Sequence, residues 1–315
     1  MKKALVLGAS GGMGYSLVEE LVSRNIETIA FARTKGKLEK YEKEWGPLAK
    51  IMVGDVLNHA QLKEAISKVD VVFHAISIPY QNWDPSLFNI LSLILQECKL
   101  QKKSLIYVDN IYAYGVQRQK VNELTTKNPH TKKGKIRLNL QQQIENSGVP
   151  YVIAHFPDFY GPKAENTALQ YTFEQIVKKN SGGFVGNPNL QREFIYIKDA
   201  AKALVELSLH DDAYGEIWTI PGAGTISGKE IGEIASKYLS KEIKLNQVHN
   251  WMIKALGIFN PFMREYYEML YLNENPVILD GTKYENRIGA LPKTPFTIGI
   301  RNNLEEIAKQ WLVKK

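Results

Sequence analysis

Short apolar runs alternate with amphipathic stretches through the first half of the chain. The runs Lys3–Leu7, Glu27–Ala32, Lys50–Val53, Val69–His74, Ser104–Val108 and Tyr151–His155 are rich in β-branched or aromatic residues, and most end at a turn or a polar segment, which predicts strands. Between them, Gly12–Arg24, Leu62–Ser67, Pro85–Cys98 and Gly134–Ser147 carry helical patterning. Strands alternating with helices predict βαβ units and hence an α/β fold on a doubly wound parallel sheet.

Beyond Phe156–Pro162 the rhythm changes. Tyr171–Lys179 reads as a helix, Gly182-Gly183 and Gly186-Asn187-Pro188 as turns, Glu193–Ile197 as a short strand, Ala200–Ser208 as a helix and Glu216–Ile220 as another strand. From Ser227 onward the pattern is largely helical with aromatic punctuation. The expected organisation is a dinucleotide-type sheet domain over residues 1–157 and a smaller, mixed, largely helical lobe over 158–315. The two interleave, because 193–222 is expected to return to the sheet.

Composition adds limits. With 44% hydrophobic and 23% charged residues over 315, the chain can bury a sizeable core. Cys98 is the one cysteine, which excludes an internal disulfide and a cysteine-based zinc site and suits a reducing compartment. The apolar run at the N-terminus is too short for a signal segment, and Leu87–Leu95 is too short to span a bilayer, so a soluble, cytoplasmic protein without a membrane partner is expected. The net charge of +7 gathers at Arg33–Lys43, Lys99–Lys103, Lys127–Arg137 and Lys314-Lys315, mostly interleaved with Glu or beside helical patterns. That distribution favours solvated faces and anion-binding edges over a nucleic-acid groove. No His/Cys/Asp/Glu cluster has metal-ligand spacing.

The strongest local signal is Gly8-Ala9-Ser10-Gly11-Gly12-Met13-Gly14, between a predicted strand and a predicted helix. In that context Gly8 serves the sharp turn, Gly11 the approach of backbone to a pyrophosphate and Gly14 the close packing of helix on sheet, while Ser10, Gly12 and Met13 complete the anion cradle at the helix N-terminus. A Rossmann-type nucleotide domain follows. At the end of the second strand, where a diol-reading site for NAD places a carboxylate, stands Arg33, with Lys35 and Lys37 beyond it. A guanidinium suits a 2′-phosphate by charge and by geometry, so NADP(H) is preferred over NAD(H); the alternative is a basic loop flanking the next helix. Asp55, followed by Val56, can accept from an adenine amino group, and His74-Ala75 ends the fourth strand beside the expected adenosine ribose. His74 alone also reads as a buried core histidine.

With these pieces in register, the chain resembles the short-chain dehydrogenase/reductase superfamily, in its extended branch of NAD-dependent epimerase/dehydratases. Beyond the glycine loop the resemblance rests on Gly54-Asp55-Val56, His74-Ala75-Ile76, Tyr107–Gly115, Phe156–Pro162 and Arg192–Ala201. It implies a catalytic Ser or Thr, a Tyr acid/base and a Lys four residues after the Tyr, which binds the nicotinamide ribose and lowers the phenol's pKa. Counting back from Tyr114-Gly115 puts Asn110 in the place of the Ser. None of the 16 tyrosines has a lysine four positions later. The nearest substitute, Thr131-Lys132-Lys133-Gly134-Lys135, would put Thr131 in the place of the Tyr and Lys135 in that of the Lys, but an alkyl hydroxyl is a far weaker acid than a phenol.

The resemblance also implies that Phe156, Pro157 and Phe159 close over the nicotinamide, that Arg192 meets substrate phosphates, and that Tyr160 lines the same pocket. Tyr112, Tyr114 and Tyr160 are candidate proton donors, Tyr114 and Tyr160 equally candidate packing residues. Trp251–Tyr271 could roof an apolar pocket or form core. Three readings stay open: an oxidoreductase acting on a small carbonyl, hydroxyl or sugar-nucleotide substrate, an epimerase with a displaced acid/base, and a non-catalytic NADP(H)-binding sensor or regulator. A homodimer through the helices after strands four and five is expected from relatives.

Overall fold

The computed structural model describes residues 1–313, so Lys314 and Lys315, named above among the basic stretches, lie outside the described residues. In the first half the chain forms β1 (Lys3–Leu7), α1 (Gly12–Ser23), β2 (Glu27–Ala32), α2 (Lys35–Trp45), β3 (Ala49–Val53), α3 (His59–Ser67), β4 (Val71–His74), α4 (Trp83–Leu100), β5 (Ser104–Asn110), α5 (Lys132–Glu145) and β6 (Tyr151–Phe156). The second half adds β7 (Asp158–Tyr160), α6 (Ala168–Lys179), β8 (Ser181–Val185), β9 (Arg192–Tyr196), α7 (Ile197–Ser208), β10 (Glu216–Thr219), β11 (Thr225–Ile226) and α8 (Gly228–Leu239). It ends with β12 (Lys244–Val248), α9 (Asn250–Leu256), α10 (Pro261–Tyr266), α11 (Thr282–Arg287) and α12 (Phe296–Val313).

Seven strands form one parallel sheet in the order β10-β6-β5-β4-β1-β2-β3. The order reverses direction between β1 and β4, which opens a crevice at their C-terminal ends, where ligands of such sheets bind. Both faces are covered: Ala4 and Val6 of β1 pack with Leu17, Val18 and Leu21 of α1 and with Leu204 and Leu207 of α7, whereas Leu5 and Leu7 pack with Leu62 of α3, Leu91 of α4 and Leu140 of α5. Burial on both faces explains the unbroken apolar run that marked β1.

The second half departs from the sequence reading in its strands. Of 193–222, β10 alone joins the large sheet; β9 pairs with β7 and β11 in a separate three-stranded sheet. The helix between them, α7, nevertheless covers the large sheet. Gly182-Gly183, expected as a turn, lies within β8, paired in parallel with β12. Both strands are short and mostly polar outside a few positions, so neither alternation nor turn chemistry announced them. α2 was hidden in the same way: Leu38, Tyr41 and Trp45 alone are buried in a lysine- and glutamate-rich segment.

Candidate functional site

The glycine loop leaves β1 at the switch point. Gly8 has φ +87°, and a side chain there would put its Cβ 2.7 Å from the Ala75 carbonyl oxygen. The Gly8 and Ala9 N–H groups both donate to Phe31 O, at 3.0 and 3.2 Å, which ties the loop to the end of β2. A Cβ on Gly14 would lie 2.2 Å from Gly8 O, so the close packing read from sequence is between α1 and its own loop. Gly11 is the N-cap of α1 and no side chain caps the helix, leaving its first N–H groups for an anion. Gly11 is exposed, Ser10 and Gly12 are half-buried, and Met13 is buried.

At the end of β2, Arg33 is exposed and has no ion pair among the described residues. Its neighbours are engaged: Lys35 with Glu39 at 3.6 Å and Lys37 with Glu165 at 2.7 Å. Asp55 is half-buried, and one carboxylate oxygen accepts the Leu57 N–H at 3.0 Å. Val56 is buried in the apolar core beneath it. His74 is buried 4.9 Å from the Tyr107 ring, and desolvation lowers its pKa to about 4, which makes it a neutral core histidine. Ala75, half-buried beside Gly8, edges the crevice.

The structure places Thr131 and Lys135 on different parts of the α5 surface from the cations that α5 buries. Thr131 is the N-cap of α5; its Oγ1 accepts the Gly134 N–H at 3.1 Å, so it holds a helix end. Lys135 is exposed, on the face of α5 away from the sheet. The cations that α5 turns inward are Lys133 and Arg137, one helical turn apart and 1% and 8% exposed. In a helix of 3.6 residues per turn, two positions along is the opposite side. A lysine and an arginine on the buried stripe disguise its amphipathicity, so the pattern of apolar positions does not mark these two cations as inward-facing.

Each buried cation has its own anions. Lys133 Nζ meets Glu265, and Glu268 at 3.1 Å, both from the C-terminal lobe. The Glu268 carboxylate also accepts the backbone N–H groups of Lys132 and Lys133 at 2.8 and 3.2 Å, capping α5 from outside. Arg137 Nη1 donates to Tyr107 Oη at 3.2 Å and lies 3.3 Å from Asp109 Oδ1, with the guanidinium 4.4 Å above the Trp83 ring. Asp109 is sealed from water, and burial pushes its carboxyl up to about 6.

Around this pair, Tyr80 Oη and Tyr112 Oη share a hydrogen bond of 2.7 Å, and Phe262 and Tyr266 stack along the Tyr80 ring at 5.3 and 6.3 Å. Burial raises the pKa of both phenols, the reverse of what an activated acid/base needs. Asn110 Oδ1 accepts the Tyr112 N–H at 3.0 Å, which leaves its amide NH2 as a donor. Tyr114 is fully buried with its hydroxyl 2.8 Å from His155 Nδ1, and Tyr160 is buried against Tyr196 and Phe296. Both are packing residues and neither faces the crevice as a substrate residue would. Phe156 and Pro157 are buried, and Phe159 is half-buried with its ring 5.5 Å from that of Phe156. Arg192 is buried between Phe184 and Phe194, donates to Val185 O at 3.1 Å and lies 3.4 Å from Asp158. Sequence reasoning did not single out Lys133, Arg137, Tyr80, Trp83, Glu265 and Glu268; the signal available for the first two was a pair of cations four apart at the start of a predicted helix.

Residues 8–181 match the family of NAD(P)H-binding proteins. The chain belongs to that family. A UDP-N-acetyl-alpha-D-glucosaminuronate decarboxylase of Bacillus cytotoxicus is 26% identical over 257 residues, which cover 74% of this chain and 78% of that protein. UDP-glucuronic acid 4-epimerase from Bacillus cereus, solved in complex with NAD, superposes with a TM-score of 0.79 over 98% of this chain and 99% of that one, at 20% identity. A dTDP-glucose 4,6-dehydratase from Bacillus anthracis gives 0.78 over 98% and 97%, at 16% identity. These structures share the Rossmann-type fold of this chain over almost its whole length.

Proposed function

We propose that this protein is an NADP(H)-preferring oxidoreductase for a small carbonyl or hydroxyl substrate, in which buried cations take over the work of the missing phenol. The observation that carries the reading is the inward-facing pair Lys133 and Arg137 beside the crevice. The loop fits a dinucleotide: Gly11 leaves the α1 N-terminus uncapped, and Arg33 is an uncommitted cation where a 2′-phosphate would lie. When bound, such a cofactor supplies or accepts the hydride. The other roles belong to this chain.

Arg137 is permanently charged and cannot pass a proton, so it holds and orients, as the family's lysine would at the nicotinamide ribose. The Asn110 amide donates to the substrate oxygen. Lys133 stabilises negative charge developing on that oxygen and can hand it a proton, because an ammonium is a donor with three hydrogens. Sugar nucleotides are the natural first substrates to try, given the decarboxylase and epimerase relatives. A second reading, a non-catalytic NADP(H) sensor, is favoured by one feature: in this structure Lys133 is already neutralised by Glu265 and Glu268.

Fluorescence titration with NADPH and NADH tests the binding half; failure to bind either ends the proposal. Arg33→Asp is expected to erase or invert the preference for NADPH, and an unchanged ratio refutes its role. Turnover on a panel of aldehydes, ketones and nucleotide sugars separates enzyme from sensor. With an active substrate, Lys133→Met should abolish turnover while NADPH still binds; full activity would refute the assignment.

A further inference from the structure

The aromatic stretch of the C-terminal lobe divides three ways. Ile253, Met269 and Leu270 are buried, and Phe262 and Tyr266 turn inward to Tyr80. Trp251, Leu256, Ile258 and Phe259 do neither: they are 65%, 53%, 72% and 90% exposed, on α9 and on the turn that joins it to α10. Isolated apolar residues on a surface need no explanation, but several large ones gathered at one convex turn do.

We propose that this tip docks peripherally on the anionic surface of a lipid bilayer. Phe259 and Ile258 project from a tight turn between two short helices, so a protein partner would need a matching hole for each. The interfacial zone of a bilayer accepts such side chains without one. Charge points the same way. Lys254 and Arg264 are exposed on this tip and make no ion pair among the described residues. Of the nearby acids, Glu265 and Glu268 bind Lys133, and Glu274, an exposed carboxylate beside the start of α9, accepts from the Asn250 amide, away from the turn that carries Ile258 and Phe259. The face presented outward is therefore apolar with a cationic rim, complementary to acidic headgroups. A second copy meeting this face about a two-fold axis would gather the Lys254 and Arg264 of both copies into one interface. The expectation of no membrane partner rested on the lack of a spanning segment, and no helix among the described residues is long and apolar enough to cross a membrane. Docking through a turn needs none.

Flotation of the full chain with phosphatidylcholine vesicles, with and without phosphatidylglycerol, tests the proposal. Binding is expected only with the anionic lipid, weakening as salt is raised. Ile258→Asp with Phe259→Asp should lower it at least ~10-fold, and Lys254→Gln or Arg264→Gln by roughly fivefold each. Unchanged circular dichroism and dinucleotide affinity in those variants would show that the fold is kept. A blue shift of tryptophan emission with vesicles should vanish in Trp251→Phe. The proposal is overturned if anionic vesicles float without the protein or if the double variant binds as well as the parent. It is equally overturned if sedimentation shows a dimer that the same double variant breaks, which would make a second copy the occupant.

Discussion

Replacing Asp109 by asparagine should stabilise the protein at neutral and alkaline pH and not at acid pH. Asp109 is buried at the end of β5; Oδ1 accepts the Asn110 N–H at 2.8 Å and lies 3.3 Å from Arg137, while Oδ2 has no hydrogen bond and faces His155 Nε2 at 3.8 Å. Burial outweighs the attraction of Arg137 and pushes the carboxyl up to about 6, against ~3.9 in an unfolded chain. Between those values the folded protein binds more protons than the unfolded one, so stability falls as pH rises through the window and stays lower above it. At about 1.4 kcal/mol per pH unit the loss is on the order of 3 kcal/mol.

An asparagine has the shape of the protonated acid, keeps the bond from Asn110 and cannot ionise. Below about pH 4 the two proteins should therefore be nearly equal in stability, and by pH 8 the variant should lead by ~2–3 kcal/mol. Urea denaturation of both proteins from about pH 4.5 to 8, with equal m-values as a check, measures the difference. Glu193, which burial pushes up to about 7, titrates alike in both and cancels. A stability difference that does not change with pH would refute the reasoning.

Two further outcomes concern the cap of α5 and the glycine loop. Glu268→Gln loses an ion pair to Lys133 and weakens the cap on α5 while Glu265 remains, so it should cost ~1–2 kcal/mol in urea denaturation, and no loss would mean the cap carries nothing. Gly12→Ala would set a Cβ 2.3 Å from the Lys163 carbonyl oxygen, on backbone that Glu44 and Glu306 anchor through the Lys163 side chain at 3.4 and 3.0 Å. It should cost ~1–3 kcal/mol and weaken NADPH binding in a fluorescence titration; a variant unchanged in both would show that this loop yields freely.

How legible the molecule was depended on whether period and environment agreed. β1, β2 and β6 are buried on both faces of a parallel sheet, so their unbroken apolar runs stood out, and the glycine loop was readable because its positions answer to backbone sterics. β8 and β12 form a two-stranded ribbon whose residues are dictated by what packs on it and not by alternation, and they were missed. On α5 the sequence count singled out Thr131 and Lys135, while the two cations the helix buries are Lys133 and Arg137. Phase is set by which side of the helix meets the sheet, and here the inward positions carry charge, so hydrophobicity pointed at neither. Glu265 and Glu268 were beyond reach because a contact across more than 130 positions is a property of the folded chain.

If Lys133 and Arg137 do the work proposed for them in place of a phenol and an ammonium, their charges bear on how the C-terminal lobe is held. Two buried positive charges one turn apart repel and are costly to desolvate unless anions accompany them. Arg137 is held by the Tyr107 hydroxyl and the Trp83 ring beside Asp109, whose raised pKa shows how poorly that place suits a negative charge. Lys133 obtains its anions from the C-terminal lobe, as Glu265 and Glu268, each about 30% exposed. The lobe is thus held over the crevice partly by the charge of the residue proposed to act there. A ligand that brings negative charge to Lys133 competes with those carboxylates, so binding an anionic substrate and loosening the lobe are one electrostatic event. On this logic neutral substrates, which cannot displace Glu265 and Glu268, should be poor ones.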